Sequence, residues 1–266
     1  MFRHWLVYAG QPARTAVGHH AARHHHLPGP PHMKAILFDL DDTLVDHQHC
    51  YRTSIAALQT QYPALQHKSF ADIEKLYVQW LDVLHAQVLA GTLSLPEARR
   101  ERFRQIFLAC DAPLPDDQLD EVAQFQAEAY RTAQRPVDGV IPLLDYLRAA
   151  HLQIGVLTNH LLAEQVAKLK QCDLEAYVDV MISSEEAGVP KPDPTMFHMA
   201  LNRLNCEPQD TVMVGDSWQS DVIGATALGI RALWLNRYEH TCPDPTLATE
   251  FESYVPLEAM LERLGV

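Results

Sequence analysis

The run Ile36-Leu37-Phe38-Asp39-Leu40-Asp41-Asp42-Thr43-Leu44-Val45 constrains this chain more than any other. Its apolar first half reads as a short buried strand, and acids stand where that strand ends. In an open α/β sheet, side chains just past the carboxyl ends of the strands line the crevice where ligands bind. Asp39 and Asp41, two residues apart, therefore flank one small volume. Close carboxylates repel, so the pair needs a proton or a cation between them. Hard oxygen ligands suit Mg²⁺, which takes one or two carboxylates and leaves its other positions to water and substrate phosphate. One acid can then stay ionised as a nucleophile while the other keeps a proton for a leaving group. The competing reading of Asp-x-Asp-x-Thr is a capped loop. A calcium loop of the EF-hand kind fits badly, because Leu44 and Cys50 stand where Gly and Glu are required.

Residues 1–33 differ in character from the rest. They carry Arg3, Arg14 and Arg23, a block of histidines and several prolines, and no acid precedes Asp39. They read as a disordered extension, with a start at Met33 as one explanation; an Arg-rich, acid-free targeting peptide is the alternative, but the segment is poor in Ser. The first strand runs from Lys34 to Leu40. From 47 to 136 the period becomes helical: Ile73, Leu76, Tyr77, Trp80, Leu84 and Val88 form one apolar stripe on a long helix. The stripe reads as packing between helices, not as a cofactor box. Further helices are expected at about 49–61, 95–109 and 116–133, with Gly91, Pro96, Pro113 and Pro115 marking the breaks.

After Pro136 strands and helices alternate. A helix at about 140–150 leads to a strand at 153–157, followed by strands at about 178–182, 211–214 and 229–235 and a closing helix at 256–264. With the first strand this makes a doubly wound, parallel, five-stranded α/β sheet carrying one all-helical insertion. The expected division is a core of 34–46 plus 137–266 and a helical domain of 47–136.

Three strand ends carry polar clusters. Thr158-Asn159-His160 offers a hydroxyl and backbone N–H groups ahead of a helix, an anion cradle or a simple cap. Lys191 lies among Pro190, Pro192 and Pro194, which restrict the backbone. It is either an exposed lysine or an ammonium compensating clustered acids. Asp193 and Pro194 look like an N-cap and first helical residue. Gly215 permits close backbone approach, Asp216 follows its strand, and Asp221 falls near the start of a helix ending at about Leu228, where its carboxylate suits the helix dipole.

FDLDDT followed in order by these clusters resembles the motif set of the haloacid dehalogenase-like (HAD) superfamily, over residues 34 to about 264. The resemblance implies a Rossmann-like core and a helical cap that selects substrate. It also implies that Asp39 is a nucleophile and Asp41 a general acid and base. Thr158, the Asn159 N–H and Lys191 would hold a phosphoryl group. Asp39, the Asp41 backbone carbonyl and Asp216 would hold Mg²⁺, supported by Asp221. The expected reaction is Mg²⁺-dependent hydrolysis of a small phosphate monoester through an aspartyl-phosphate. Alternatives are a phosphomutase on sugar phosphates, a 2-haloacid dehalogenase, whose members lack an acid at the position of Asp41, and a non-catalytic phospholigand-binding protein. Ala232-Leu233-Trp234-Leu235-Asn236-Arg237 looks like some nucleotidase-type members, so a nucleoside monophosphate stands beside phosphoglycolate and sugar phosphates as substrate.

A formal charge of −13 argues against nucleic acid or an anionic membrane surface as partner. It also means that an anionic metabolite requires local positive charge. Five scattered cysteines without a C-x-x-C pair suit reduced thiols in a cytoplasmic protein. No apolar run reaches membrane-spanning length. The glycine spacing of Gly224 to Gly229 lacks the lysine of a P-loop, and no dinucleotide fingerprint follows a strand. Gly215-Asp216-Ser217 has no suitable histidine after it for a serine esterase. The expected partner is a small phosphorylated metabolite, met by a monomer or homodimer.

Overall fold

The computed structural model describes residues 33–266, so the reading of residues 1–32 as an extension lies outside the described residues. Strand β1 (Ala35–Phe38) leads into four helices, α1 (His47–Gln61), α2 (Phe70–Leu89), α3 (Leu95–Ala109) and α4 (Asp116–Thr132). Next come α5 (Val140–Ala149), β2 (Gln153–Thr158), α6 (Leu162–Gln171) and β3 (Val180–Ser183). The short α7 (Ser184–Ala187), α8 (Pro194–Leu204), β4 (Thr211–Gly215) and α9 (Ile223–Thr226) follow. β5 (Arg231–Leu235), β6 (Ala248–Phe251) and α10 (Leu257–Leu264) close the chain.

Every residue of β1 is fully buried, and its side chains divide between two apolar clusters. Ile36 and Phe38 pack with Leu143 and Leu147 of α5 and Met260 of α10. Ala35 and Leu37 pack with Phe197, Ala200 and Leu204 of α8. A strand covered on both faces must be apolar at every position, which is why its sequence is a continuous run.

All pairings are parallel, in the order β3-β2-β1-β4-β5-β6. β1 is flanked by β2 and β4, with Phe38 level with Val156 and Val214. That register brings the residues following three strands, from distant parts of the sequence, to one edge of the sheet. The sheet has six strands where five were expected. β6 is an edge strand in which only Phe251 is buried, and an edge covered on one side does not require the apolar run that marks the others. The expected strand at 178–182 is Val180–Ser183, and that at 229–235 starts at Arg231. Asp221 does not cap a helix. It lies inside a π turn at Trp218–Val222, whose Val222 N–H reaches Ser217 O at 3.4 Å, and Ser217 supplies the cap.

Helices α1 to α4 surround an apolar cluster of their own, including Ile55, Leu58, Phe103, Phe107 and Val122. In the α2 stripe, Ile73, Tyr77, Leu84 and Val88 are buried, and half-buried Trp80 packs beside Leu161 from outside the helical segment. The Ser94–Glu97 capping box starts α3, satisfying N–H groups that a helix leaves open at that end. The chain leaves and rejoins the sheet through neighbouring backbone: Asp46 N–H donates to Arg135 O at 3.0 Å, and Val137 N–H to Leu44 O at 2.9 Å. Among the described residues, no helix is long and apolar enough to cross a membrane.

Candidate active site

The end of β1 turns sharply. Asp39 N–H still bonds Val214 O at 3.0 Å, but Leu44 and Val45 both donate back to Leu40 O at 2.9 Å. Asp42 takes φ of 59°, a left-handed conformation that aspartate tolerates better than most residues. The turn gives Asp39 and Asp41 different partners.

Asp39 meets Lys191. The lysine Nζ donates to Asp39 Oδ1, Asp221 Oδ1 and the Leu157 carbonyl, each at 2.7 Å, so all three of its protons are committed. Burial opposes this charge, but Asp221 and Asp39 more than offset it and hold the lysine pKa above its ordinary value. Its loop is clamped by Asn159, whose Oδ1 accepts from Lys191 N–H at 2.7 Å and whose Nδ2 donates to Lys191 O at 3.0 Å. The proline-bounded lysine is therefore a buried counter-ion, not an exposed side chain.

Asp216 follows β4 and is tied to the β1 turn by Thr43, whose Oγ1 accepts from Asp216 N–H at 3.1 Å and donates to Asp216 Oδ1 at 3.4 Å. Gly215 is required here, because a Cβ would sit 2.2 Å from Asp221 Oδ2. Asp221 Oδ2 also accepts from Ser217 N–H at 3.0 Å. Oxygens of Asp39, Asp216 and Asp221 lie within 4.8 Å of one another. Burial, opposed by Lys191 and aided by Asp221, pushes Asp39 up to about 7. Burial and the charge of Asp39 push Asp216 the same way. Two buried carboxylates and a half-buried third beside one ammonium lack positive charge, and their hard oxygens are the donor set that Mg²⁺ takes.

The Asp41 carboxylate is turned elsewhere. It accepts from Lys168 Nζ and, at 2.8 Å, from Gln165 Nε2, with His47 Nδ1 at 3.9 Å. Burial favours its neutral form, but Lys168 and then His47 outweigh that and hold it well below the usual carboxylate range. Gln165 Nε2 also donates to Thr158 Oγ1 at 2.7 Å, which leaves the Thr158 proton free to donate to another group. Burial, with Lys168 next, pushes His160 down to about 3, so it is neutral. The structure thus gathers Asp39, Asp216, Asp221 and Lys191 at one point, with Asn159 behind the lysine and Thr158 and Asp41 joined through Gln165. Gln165, Lys168 and Thr43 were not anticipated. Only Thr43 had a signal, its place in the Asp-x-Asp-x-Thr run.

A cavity of about 730 Å³, the size of small-metabolite pockets, opens beside this cluster. It is lined by Asp41, Asn159 and Lys168 on the sheet side and by Tyr77, Arg102 and Tyr130 from the helices. His85 of α2 contacts Asn159 O at 2.9 Å, and Arg99 of α3 pairs with Glu164 at 2.6 Å, closing it from the helical side.

Residues 33–229 match the family model of haloacid dehalogenase-like hydrolases. Ribulose-1,5-bisphosphate 5-phosphatase of Halopiger xanaduensis is 30% identical over 211 residues, covering 78% of this chain and 86% of that protein. Glyceraldehyde 3-phosphate phosphatase of Pyrococcus abyssi is 27% identical over 205 residues, 76% of this chain and 81% of that one. The HAD-hydrolase YfnB from Bacillus subtilis, solved bound to magnesium, superposes with a TM-score of 0.68 at 21% identity, covering 88% of this chain and 100% of its own. The acids that follow adjacent strands, the lysine held between them and these likenesses together make the chain a member of the haloacid dehalogenase-like hydrolase family, with phosphatases among its relatives.

Proposed function

We propose that the chain hydrolyses small phosphate monoesters with Mg²⁺, through a phosphoryl group carried briefly on Asp39. The observation that supports this most is the meeting of Asp39, Asp216 and Asp221 around the Lys191 ammonium. Held by Asp39, Asp216 and the Asp41 backbone carbonyl, with Asp221 in support, Mg²⁺ would neutralise the phosphoryl oxygens. Lys191 fixes the Asp39 carboxylate and, with the bound cation, would favour the ionised form that a nucleophile takes. The free Thr158 proton and the Asn159 N–H are donors for the phosphoryl oxygens.

Asp39 forms a bond to phosphorus as the ester oxygen leaves with a proton from Asp41. Water then attacks the Asp39 phosphoryl group and gives its proton back to Asp41. Bound to Lys168, Asp41 is in its base form, so the donating step needs its carboxyl to turn from that lysine. Residues 47–136 act in this reading as a cap over a core of 34–46 and 137–266, on the support of their separate apolar cluster and the cavity beneath. Cytoplasmic residence belongs to the same proposal, supported by five free cysteines. A dehalogenase would have no use for a cation site or for an acid at Asp41.

Phosphate release from a panel of phosphate monoesters, with Mg²⁺ and with EDTA, tests the reading beside Asp39→Asn. Release that needs Mg²⁺ and disappears in the variant is expected. Full activity in the variant overturns the nucleophile, and isomerised sugar phosphate in place of free phosphate identifies a mutase.

A further inference from the structure

One buried cation in the helical segment has no counter-ion. Arg102 of α3 is 5% exposed, yet among the described residues it pairs with no carboxylate, while Arg99, Arg100 and Arg104 of the same helix each do. Its Nη1 donates to the Tyr77 hydroxyl at 3.0 Å, its guanidinium lies 4.8 Å from the centre of that ring, and its Nε has no hydrogen-bond partner. A buried guanidinium without an anion is costly enough that such groups are normally paired.

This one is held rigidly all the same. Gln126 Nε2 donates to the same Tyr77 hydroxyl at 3.1 Å and to Ser54 Oγ at 2.9 Å, so side chains from α1, α2 and α4 together fix the arginine of α3. Stacking on Tyr77 occupies a face of the guanidinium and leaves N–H groups at its edge for a ligand. Arg102, Tyr77 and Gln126 line the cavity that Asp41 and Asn159 line from the other side. The other cations there are already matched, Lys168 with Asp41, Arg99 with Glu164, Arg131 with Glu128 and Lys170 with Glu175, and Asp82, which also lines the cavity, makes no ion pair with Arg102.

We propose that Arg102 binds a second anionic group on the substrate, a carboxylate or a second phosphate, remote from the phosphoryl group that Asp39 attacks. The inference rests on the phosphohydrolase reading and names the substrate class for it. A guanidinium edge meets either group with parallel N–H···O bonds. Because the contact lies away from the reacting atoms, it strengthens ground state and transition state alike and is read in KM.

Matched esters test this with Mg²⁺ present: phosphoglycolate against ethyl phosphate for the carboxylate, and propanediol bisphosphate against propyl phosphate for the second phosphate. The wild-type protein should prefer the doubly anionic member of at least one pair by roughly tenfold or more in kcat/KM, mostly through KM. Arg102→Met should abolish that preference and Arg102→Lys should keep part of it. Absence of preference in the wild type, or a preference that survives in Arg102→Met, overturns the assignment. Should Arg102→Met fail to fold, the wild type alone decides: phosphonoacetate should inhibit about tenfold more tightly than ethylphosphonate, or propane-1,3-bisphosphonate about tenfold more tightly than propylphosphonate, and equal inhibition within both pairs overturns the proposal. Hydrolysis of the esters without preference sinks this inference alone, whereas no phosphate release from any of them sinks the phosphohydrolase reading with it.

Discussion

Replacing Asp39 with Asn should stabilise the metal-free protein at neutral pH. Burial raises the Asp39 carboxyl from its ordinary 3.8 to about 7. The folded state therefore binds a proton more tightly than the unfolded state does. The contribution of this group to stability is complete below pH 3.8 and is lost as the pH rises through about 7. At about 1.4 kcal/mol per tenfold change in proton affinity, the loss at pH 7 is on the order of 4 kcal/mol. Asn presents a neutral group of the same shape and escapes that loss. For a domain of this size, the gain corresponds to a melting temperature higher by roughly 8–16 °C.

The assay is thermal unfolding of both proteins in EDTA from pH 4 to pH 8. The gap should be small near pH 4, where the wild-type carboxyl is protonated, and should widen up to pH 7. Half-buried His47 and His160, both lowered, contribute to stability with the opposite sign, but both proteins contain them and their effect cancels in the difference. Mg²⁺ should raise the wild type and leave the variant, short of one ligand, nearly unchanged. An Asp39→Asn protein no more stable than wild type at pH 7 in EDTA would refute the argument that these acids crowd one another.

Lys191→Met leaves Asp39 and Asp221 buried without their shared cation and should cost about 3–5 kcal/mol in urea unfolding at pH 7; a cost below about 1 kcal/mol would count against the buried network. Gly215→Ala forces Asp221 away from its backbone and should cost about 1–3 kcal/mol. Calorimetry should show weaker Mg²⁺ binding in the same variant, and unchanged affinity would remove Asp221 from the cation site. Asn159→Ala frees the backbone on both sides of Lys191 and should lower kcat by about 100-fold, the scale of a 1 Å misplacement; an unchanged kcat shows that the clamp is dispensable. Lys168→Met removes the largest charge that opposes burial at Asp41, so its carboxyl should rise and the acidic limb of the kcat–pH profile should move to higher pH. A limb that stays in place assigns that ionisation to another group.

β1, β2 and β4 were legible because burial on both faces demands an unbroken apolar run, and the residue after such a run is bound to lie at the sheet's edge. Asp39, Thr158 and Asp216 follow from that rule alone. Lys168 and Gln165 do not: they sit three apart on α6 among Glu164 and Lys170, a spacing shared by any solvated helix face, and only the fold turns them toward Asp41. Arg102 is hidden in the same way among Arg99, Arg100 and Arg104. Thr43 stood within the first motif, but its bond to Asp216 depends on β1 lying beside β4. The sequence places Asp221 near a helix start because a π turn has no distinctive composition, and it does not show β6 because an edge needs little apolar surface.

The paired backbone at Asp46–Arg135 and Leu44–Val137 means that the helical segment begins and ends at almost the same point in space. The sheet consequently has no way to register how many residues lie between those crossings. Closing a longer or shorter excursion changes the chain entropy only logarithmically. A different set of helices with equally close ends could be grafted onto the same doorway, and the machinery at the strand tips would inherit a new ceiling, and new clientele, without altering a single carboxylate.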